Sequence, residues 1–284
     1  GLDAGFTCPN RDGTKGTGGC LYCNEDGSRA SYAKKGENAG DQLAGRIRLL
    51  RSGKGAKKFI AYFQAFTNTY APLAVLKKTY DEILPFDEIV GLSIGTRPDC
   101  VDPDKLKLIA SYKDKREVWI EYGMQSIHDK TLKAVNRAHT VREFTDAVKL
   151  TKDCGILVCA HIIIGLPGEA KDQTMAAADR LAELGIDGVK IHALHVLKGS
   201  PMEKLFNSGA IRLPEEDEYI DTVCNILERL PERVVIQRLT GQGSGDNHVA
   251  PEWAMDKTVT LNKIKEELKR RGTCQGSLIS SRRP

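Results

Sequence analysis

Two rhythms of apolar residues alternate along this chain. Nearly continuous runs of β-branched and aliphatic residues are followed by stretches in which apolar side chains recur every three or four positions. The first kind predicts strands over 59–65, 89–95, 118–125, 158–165 and 188–197, with a short strand over 2–7 ahead of them. The second predicts helices over 41–52, 72–83, 103–112, 129–135, 141–154 and 171–184. In the first of these, Leu43, Ile47 and Leu50 fall on one side. Pro72 suits the first turn of its helix, and Asp102 reads as an N-cap.

Strands this apolar belong in a parallel sheet covered by helices. Six strand–helix units are too many for a small sheet and fewer than the eight of a closed barrel. A doubly wound open sheet would usually carry a Gly-rich nucleotide-binding turn, and none is present. The pattern therefore favours an α/β chain with a partial (β/α)6 barrel over 1–200. From 201 the rhythm changes to short helices over 202–208 and 215–230, a strand over 234–239, a Gly-rich loop and a helix over 257–271. These predict a small α+β C-terminal cap over 201–284.

Composition narrows the class. At 284 residues, 40% hydrophobic and 28% charged, the chain can bury a large core. No apolar run approaches the ~20 residues of a membrane helix; the longest, 158–166, is interrupted by His161. No leader peptide is visible, and Gly1 opens a predicted strand without an initiating Met, so the native chain is expected to extend upstream. Eight cysteines in a chain this long do not form a small secreted disulfide framework. A reducing cytoplasm and a metal site suit them better. Cys100, Cys154, Cys159, Cys224 and Cys274 are scattered and read as buried or incidental thiols. A net charge of +4 says little about partners. Lys263, Lys265, Lys269, Arg270 and Arg271, followed by Arg282 and Arg283, suit either a solvated helix end or a nucleic-acid contact.

The chemistry is concentrated at the start. Cys8, Cys20 and Cys23 form a C-x11-C-x2-C spacing around a loop rich in Gly, Asn, Asp and Pro. Three thiolates with no nearby fourth ligand fit a cuboidal iron–sulfur cluster with one open iron. They also fit a zinc knuckle whose fourth ligand lies far away.

Parallel α/β folds bind ligands at the C-terminal ends of their strands, and those ends are polar or Gly-rich here. One runs Gln64-Ala65-Phe66-Thr67, the next Ser93-Ile94-Gly95-Thr96-Arg97. Glu121 and Gln125 stand four apart, on one strand face. A carboxylate there is costly unless paired, so it marks a structural ion pair or a ligand site. The following strand ends in a Gly-Leu-Pro-Gly turn at 165–168. Lys190 and His192 alternate with Val189, Ile191 and Ala193, which turns them towards the interior. A substrate or their own neighbours could satisfy them, and they are the candidate catalytic residues.

Taken together, several segments resemble one family. These are the opening 2–13, the three cysteines with Tyr22, 121–126, 136–140, 164–168 and 238–241. They resemble the radical S-adenosylmethionine (SAM) superfamily, in the branch of the Elongator catalytic subunit and oxygen-independent coproporphyrinogen oxidase, and within it the YhcC/YtqA-like family. The resemblance covers essentially the whole chain. It implies that Cys8, Cys20 and Cys23 ligate a 4Fe–4S cluster whose open iron holds SAM. Gln64 and Thr67 would meet the SAM amino group, although that segment is Gly-Gly-Glu-like in relatives. Ser93, Glu121 and Gln125 would meet its ribose and methionine parts, and Arg137 its carboxylate. Tyr22 and the backbone from Ile163 to Leu166 would flank adenine. His161 takes a position often acidic in relatives, and 241–244 reads as a substrate-covering or an ordinary flexible loop.

The resemblance also implies the reaction. Reductive cleavage of SAM yields a 5′-deoxyadenosyl radical that takes a hydrogen from substrate, with electrons from a flavodoxin or ferredoxin. The expected substrate is the wobble uridine of tRNA, converted from a carboxymethylaminomethyl to an aminomethyl tail. A small-metabolite radical SAM enzyme, and a non-catalytic zinc- or cluster-bearing RNA-binding protein, are the alternatives. No membrane association is expected.

Overall fold

The computed structural model describes residues 1–280 apart from 28, 31, 34, 35 and 242–246. Two compact units make up the chain. One comprises Gly1–Gly18, Glu25–Gly123 and Asp146–Val158, the other Gly19–Asn24, Met124–Thr145 and Cys159–Pro284.

The first unit contains α1 (Ala39–Lys54), β1 (Phe59–Phe63), α2 (Leu73–Asp81), β2 (Ile89–Thr96), α3 (Pro103–Ala110) and most of β3 (Glu117–Gln125). Asn38 caps α1 by accepting from the Asp41 amide, and Gly55 closes it in the left-handed conformation. Asp102 caps α3 as its sequence suggests, accepting from Lys105 N. β1 pairs parallel with β2, and β2 with β3, which sets Gly95 opposite Glu121. Phe63, Leu76, Tyr80 and Leu92 are buried beneath the helices, with the Phe63 and Tyr80 rings 5.3 Å apart.

The expected strand over 2–7 reduces to a single residue. Leu2 makes an isolated parallel bridge to Phe63. Asp3 then leaves the sheet because the Gln42 side chain takes both its amide (2.9 Å) and its carbonyl (2.8 Å). Gly5, at φ 72°, turns the chain away.

The second unit contains α4 (Asp129–Ala134), the start of α5 (Val141–Asp153), most of β4 (Leu157–Ile164), α6 (Lys171–Glu183), β5 (Gly188–Ala193) and β6 (Val196–Leu197). It continues with α7 (Pro201–Asn207), α8 (Glu216–Arg229), β7 (Val235–Arg238), β8 (His248–Ala250), α9 (Lys257–Arg271) and α10 (Ser277–Ser280). β5 pairs parallel with β4 and with β7, so Lys190 lies opposite His161 on one side and Arg238 on the other. The predicted strand over 188–197 breaks after Ala193, and its last two residues pair antiparallel with β8.

The six-stranded sheet has the order β1-β2-β3-β4-β5-β7. Its sixth strand is therefore β7, from the segment expected to form a separate cap, and not the opening segment. Three of the cations of α9 pair with carboxylates of α8 and of α9 itself. Lys263 pairs with Glu216 (2.5 Å), and Arg271 with Asp221 (2.5 Å), Glu228 (3.2 Å) and Glu267 (2.7 Å). Arg270 also pairs with Glu267. Those pairs favour a structural role over a nucleic-acid contact for this helix end; Arg282 and Arg283 lie outside the described residues. No described helix is long and apolar enough to cross a membrane.

Candidate active site

The cysteine loop is shaped by its own backbone. The Cys8 carbonyl accepts from the amides of Arg11 (2.8 Å) and Asp12 (3.3 Å), and Pro9 O accepts from those of Lys15 and Gly16. Lys15 then anchors the loop within the first unit through a 2.9 Å ion pair to Asp99, which Arg97 holds from the other side, also at 2.9 Å. Burial alone would push the Asp99 carboxyl up. Hydrogen bonds and charge from Arg97 and Lys15 reverse this and hold it at about 2. Cys100, close to Cys8, is pushed up to about 12 by burial and by the Asp99 carboxylate. Among the described residues no cysteine is in a disulfide.

Behind β1 the chain passes through Phe66 at φ 58°, a left-handed conformation, with the Arg11 guanidinium 5.5 Å above its ring. Gln64 is tied to the opening segment through its amide, which donates to Leu2 O. Thr67 is buried, and its hydroxyl meets no hydrogen-bond partner among the described residues. Asn68 bridges the ends of β1 and β2, donating to Phe63 O and Gly95 O. Two strands over, Ser93 donates to the buried Glu121 carboxylate at 2.6 Å. Glu121 is thus hydrogen-bonded, in keeping with the cost of burying a carboxylate.

In the second unit the Cys20–Cys23 turn is closed by Cys23 N donating to Cys20 O. It is fastened on two sides, by Leu21 N to Val135 O and by Met202 N to Leu21 O. Asn136 Nδ2 donates to Gly19 O at 2.7 Å, and Arg137 Nη1 to the Cys20 sulfur at 3.5 Å. Arg137 Nε donates to His139 Nε2 at 3.0 Å. That makes Nδ1 the protonated nitrogen of neutral His139, where it faces Thr140 O. The backbone is bent to achieve this: Asn136 and Ala138 sit at φ 52° and 57°. Gln125, at φ 70°, interrupts the alternation of β3, so the shared strand face expected for Glu121 and Gln125 ends before the latter. Burial, then the neighbouring Cys20, pushes the Tyr22 hydroxyl far above its usual range. Tyr22 packs on the apolar cluster that includes Ile163 and Leu166. Gly165, at φ 91°, shapes the following turn, and a Cβ there would lie 2.6 Å from Pro214 Cδ.

Lys190 is buried between His161 and Arg238. The His161 and His192 rings lie 5.6 Å apart. Burial, then the charges of His161, Arg238, His195 and Lys190, hold His192 neutral, far below its usual range. Its Nε2 is buried without a partner among the described residues. The alternation of β5 signalled Lys190 and His192. Arg238, His195 and His248 join them only through pairing across β5, β7 and β8, which the sequence does not announce. Residues 242–244 of the expected loop lie outside the described residues.

These residues fit the cofactors that the motifs imply. The first unit offers Cys8 and a buried Thr67 hydroxyl with no hydrogen-bond partner among the described residues. The second offers Cys20 and Cys23, with the Arg137 guanidinium beside Cys20. These are groups that a cluster and a zwitterionic ligand would use. Comparison with known proteins gives the family. Residues 12–181 match the model of the radical SAM superfamily, and 186–270 that of the radical SAM C-terminal domain. Protein YtqA of Bacillus subtilis is 40% identical over 98% of this chain and 86% of its own length, and protein YhcC of Escherichia coli K12 38% over 98% and 89%. The archaeal Methanocaldococcus infernus Elp3, solved without its N-terminus, matches with a TM-score of 0.68 at 21% identity. That match covers 84% of this chain and 60% of Elp3. The fold is therefore the expected α/β partial (β/α)6 barrel. The chain belongs to the radical SAM superfamily.

Proposed function

We propose that this radical SAM enzyme acts on the wobble uridine of tRNA, shortening a carboxymethylaminomethyl tail to an aminomethyl one by attack on the tail carbon. The CH2 beside the carboxylate would lose a hydrogen atom, then one further electron to an acceptor such as the cluster were it bound, and a proton. Addition of water would then break the C–N bond and release the two carbons as glyoxylate. The enzymes of this family use a 4Fe–4S cluster and SAM and draw on an electron donor, for which a flavodoxin or ferredoxin is suited. When bound, these cofactors supply hydrogen-atom abstraction, and the protein orients the reactants and excludes water.

In this reading Cys8, Cys20 and Cys23 hold the cluster, and Arg137 pairs the SAM carboxylate. Gln64 and Thr67 meet its amino group, and Ser93, Glu121 and Gln125 its ribose and methionine parts. Tyr22 closes over adenine beside the backbone from Ile163 to Leu166. His161 and His192 line the substrate side. One observation carries the choice of substrate: Lys190 and Arg238 face each other across β5 and β7. Two cations in register suit the carboxylate of the tail. The motifs shared with the Elongator branch support a tRNA bearing it, with the base flipped into the site.

The test is anaerobic. Protein reconstituted with iron and sulfide receives SAM, reductant and a tRNA carrying carboxymethylaminomethyluridine. 5′-Deoxyadenosine and aminomethyluridine should both form, and both should vanish in Cys20→Ala. Deoxyadenosine formed with the tail left intact would remove the substrate and leave the radical chemistry standing.

A further inference from the structure

His195 and His248, to which the functional reading gives no role, meet through their rings beside Lys190 and His192. His248 Nε2 lies 2.8 Å from the carbonyl oxygen of Pro251. A carbonyl only accepts, so that nitrogen carries the hydrogen. The other ring nitrogen of His248, Nδ1, is 3.4 Å from His195 Nδ1. With that His248 atom the acceptor, His195 donates there, the two rings lying edge to face at 5.1 Å. Its own Nε2 is left as a lone pair, buried and without a hydrogen-bond partner among the described residues.

Gly241 packs close in front of that lone pair. A Cβ on Gly241 would lie 3.2 Å from His195 Nε2 and 3.6 Å from His192 Nδ1. Both elements arrive from the C-terminal ends of parallel neighbours: His195 follows β5 and Gly241 follows β7. Parallel α/β folds receive their ligands at such ends.

We propose that His195 accepts a hydrogen bond from an N–H or O–H of the substrate through its Nε2, and that His248 is the positioning residue that fixes this tautomer. The identity of the donor rests on the function proposed above: it is the amine of the tail, whose carboxylate meets Lys190 and Arg238. Burial, then His248 and Arg238, push His195 down to about 4, so at neutral pH it is an uncharged acceptor. A proton taken up there would be opposed by Arg238 and the other cations. The site therefore reads a donor and does not hold an anion through His195.

Nitrogen-15 NMR of the cluster-loaded, oxidised protein labelled at histidine tests this. Six histidines are few enough to assign by single replacement. His195 should be protonated at Nδ1 with Nε2 bare, and His248 protonated at Nε2; the reverse tautomer at His195 would overturn the proposal. Carboxymethylaminomethyluridine nucleoside is then the probe. Its binding should move the Nε2 resonance of His195, and His195→Phe should weaken that binding about tenfold, as the loss of one such hydrogen bond implies. His248→Phe should mix the tautomers and weaken binding similarly. His248→Asn should restore both, because its side-chain oxygen can accept from His195 Nδ1. Nucleoside binding that shifts other histidines and leaves Nε2 unmoved overturns the proposal. Absence of any nucleoside response, with the expected tautomers present, removes the wobble tail as substrate and overturns the donor assigned to His195, while the tautomer, read without ligand, is judged separately.

Discussion

Arg137 Nη1 lies 3.5 Å from the sulfur of Cys20, while its Nε is held 3.0 Å from His139 Nε2. One buried guanidinium is thus fixed from behind by a neutral imidazole and presented to the Cys20 sulfur in front. Lysine would keep the charge and lose the fork. Arg137→Lys is expected to retain iron and to lower 5′-deoxyadenosine formation roughly ten- to a hundredfold, the range for a lost charged hydrogen bond. Iron content and product measured on the same preparation separate this from loss of the cluster.

Next to that guanidinium, Ala138 sits at φ 57°. An L-residue in this region is strained by about 1–2 kcal/mol, and glycine is not. Ala138→Gly should therefore stabilise the protein, against the usual trend, by about 0.5–1 kcal/mol once the greater freedom of the unfolded chain is subtracted. Urea denaturation of the two proteins reads the difference. A loss of stability would mean that the Ala138 methyl contributes more through packing than its backbone costs.

The rhythm of the chain announced most of this fold, and the reasons for the exceptions are physical. Long apolar runs such as Leu157–Ile164 can only be buried strands, and α8 carries its own capping box in Glu215 and Glu218. β7 was recognisable as a strand, but four residues that include Gln237 and Arg238 give no hint of pairing beside β5. The opening segment looked extended until Gln42, 39 positions away, took the backbone of Asp3. At the site, the cysteine spacing and the polar strand ends were legible as residue types, and Arg137 only through the family resemblance. The left-handed backbone at Gln125 and Ala138 was not, since neither residue favours it. Nor was the pairing of His195 with His248, which depends on the two-residue strand β6.

Asp99 makes the cysteine loop acid-sensitive. Its carboxyl is held at about 2 against an ordinary value of 3.8. A depressed carboxyl contributes stability that is present above the unfolded value and is lost as pH falls through the folded one, here between about 4 and 2. The shift corresponds to roughly 2 kcal/mol. Asp99→Asn should be less stable than the parent at pH 6, and the gap should narrow as the pH drops across that window. Parallel denaturation series at pH 6, 4 and 3 measure it. A gap that stays constant with pH would assign the loss to packing and not to the charge held between Lys15 and Arg97.

Ser93 and Glu121 provide a test of whether the buried carboxylate is structural or is kept for a ligand. Ser93 donates to Glu121 at 2.6 Å inside the first unit, and removing the hydroxyl deprives a buried charge of a donor. Ser93→Ala alone should cost about 1–3 kcal/mol of stability. If Glu121 serves the SAM ribose, added SAM should recover part of that loss in the cluster-loaded protein, because a ligand that binds only the folded state stabilises it by mass action. Glu121→Gln should leave the fold intact, since its amide oxygen still accepts from Ser93, and it should weaken SAM binding about tenfold. Thermal melting with and without SAM distinguishes the two roles. Equal SAM stabilisation of parent and Glu121→Gln would make this carboxylate a structural residue only.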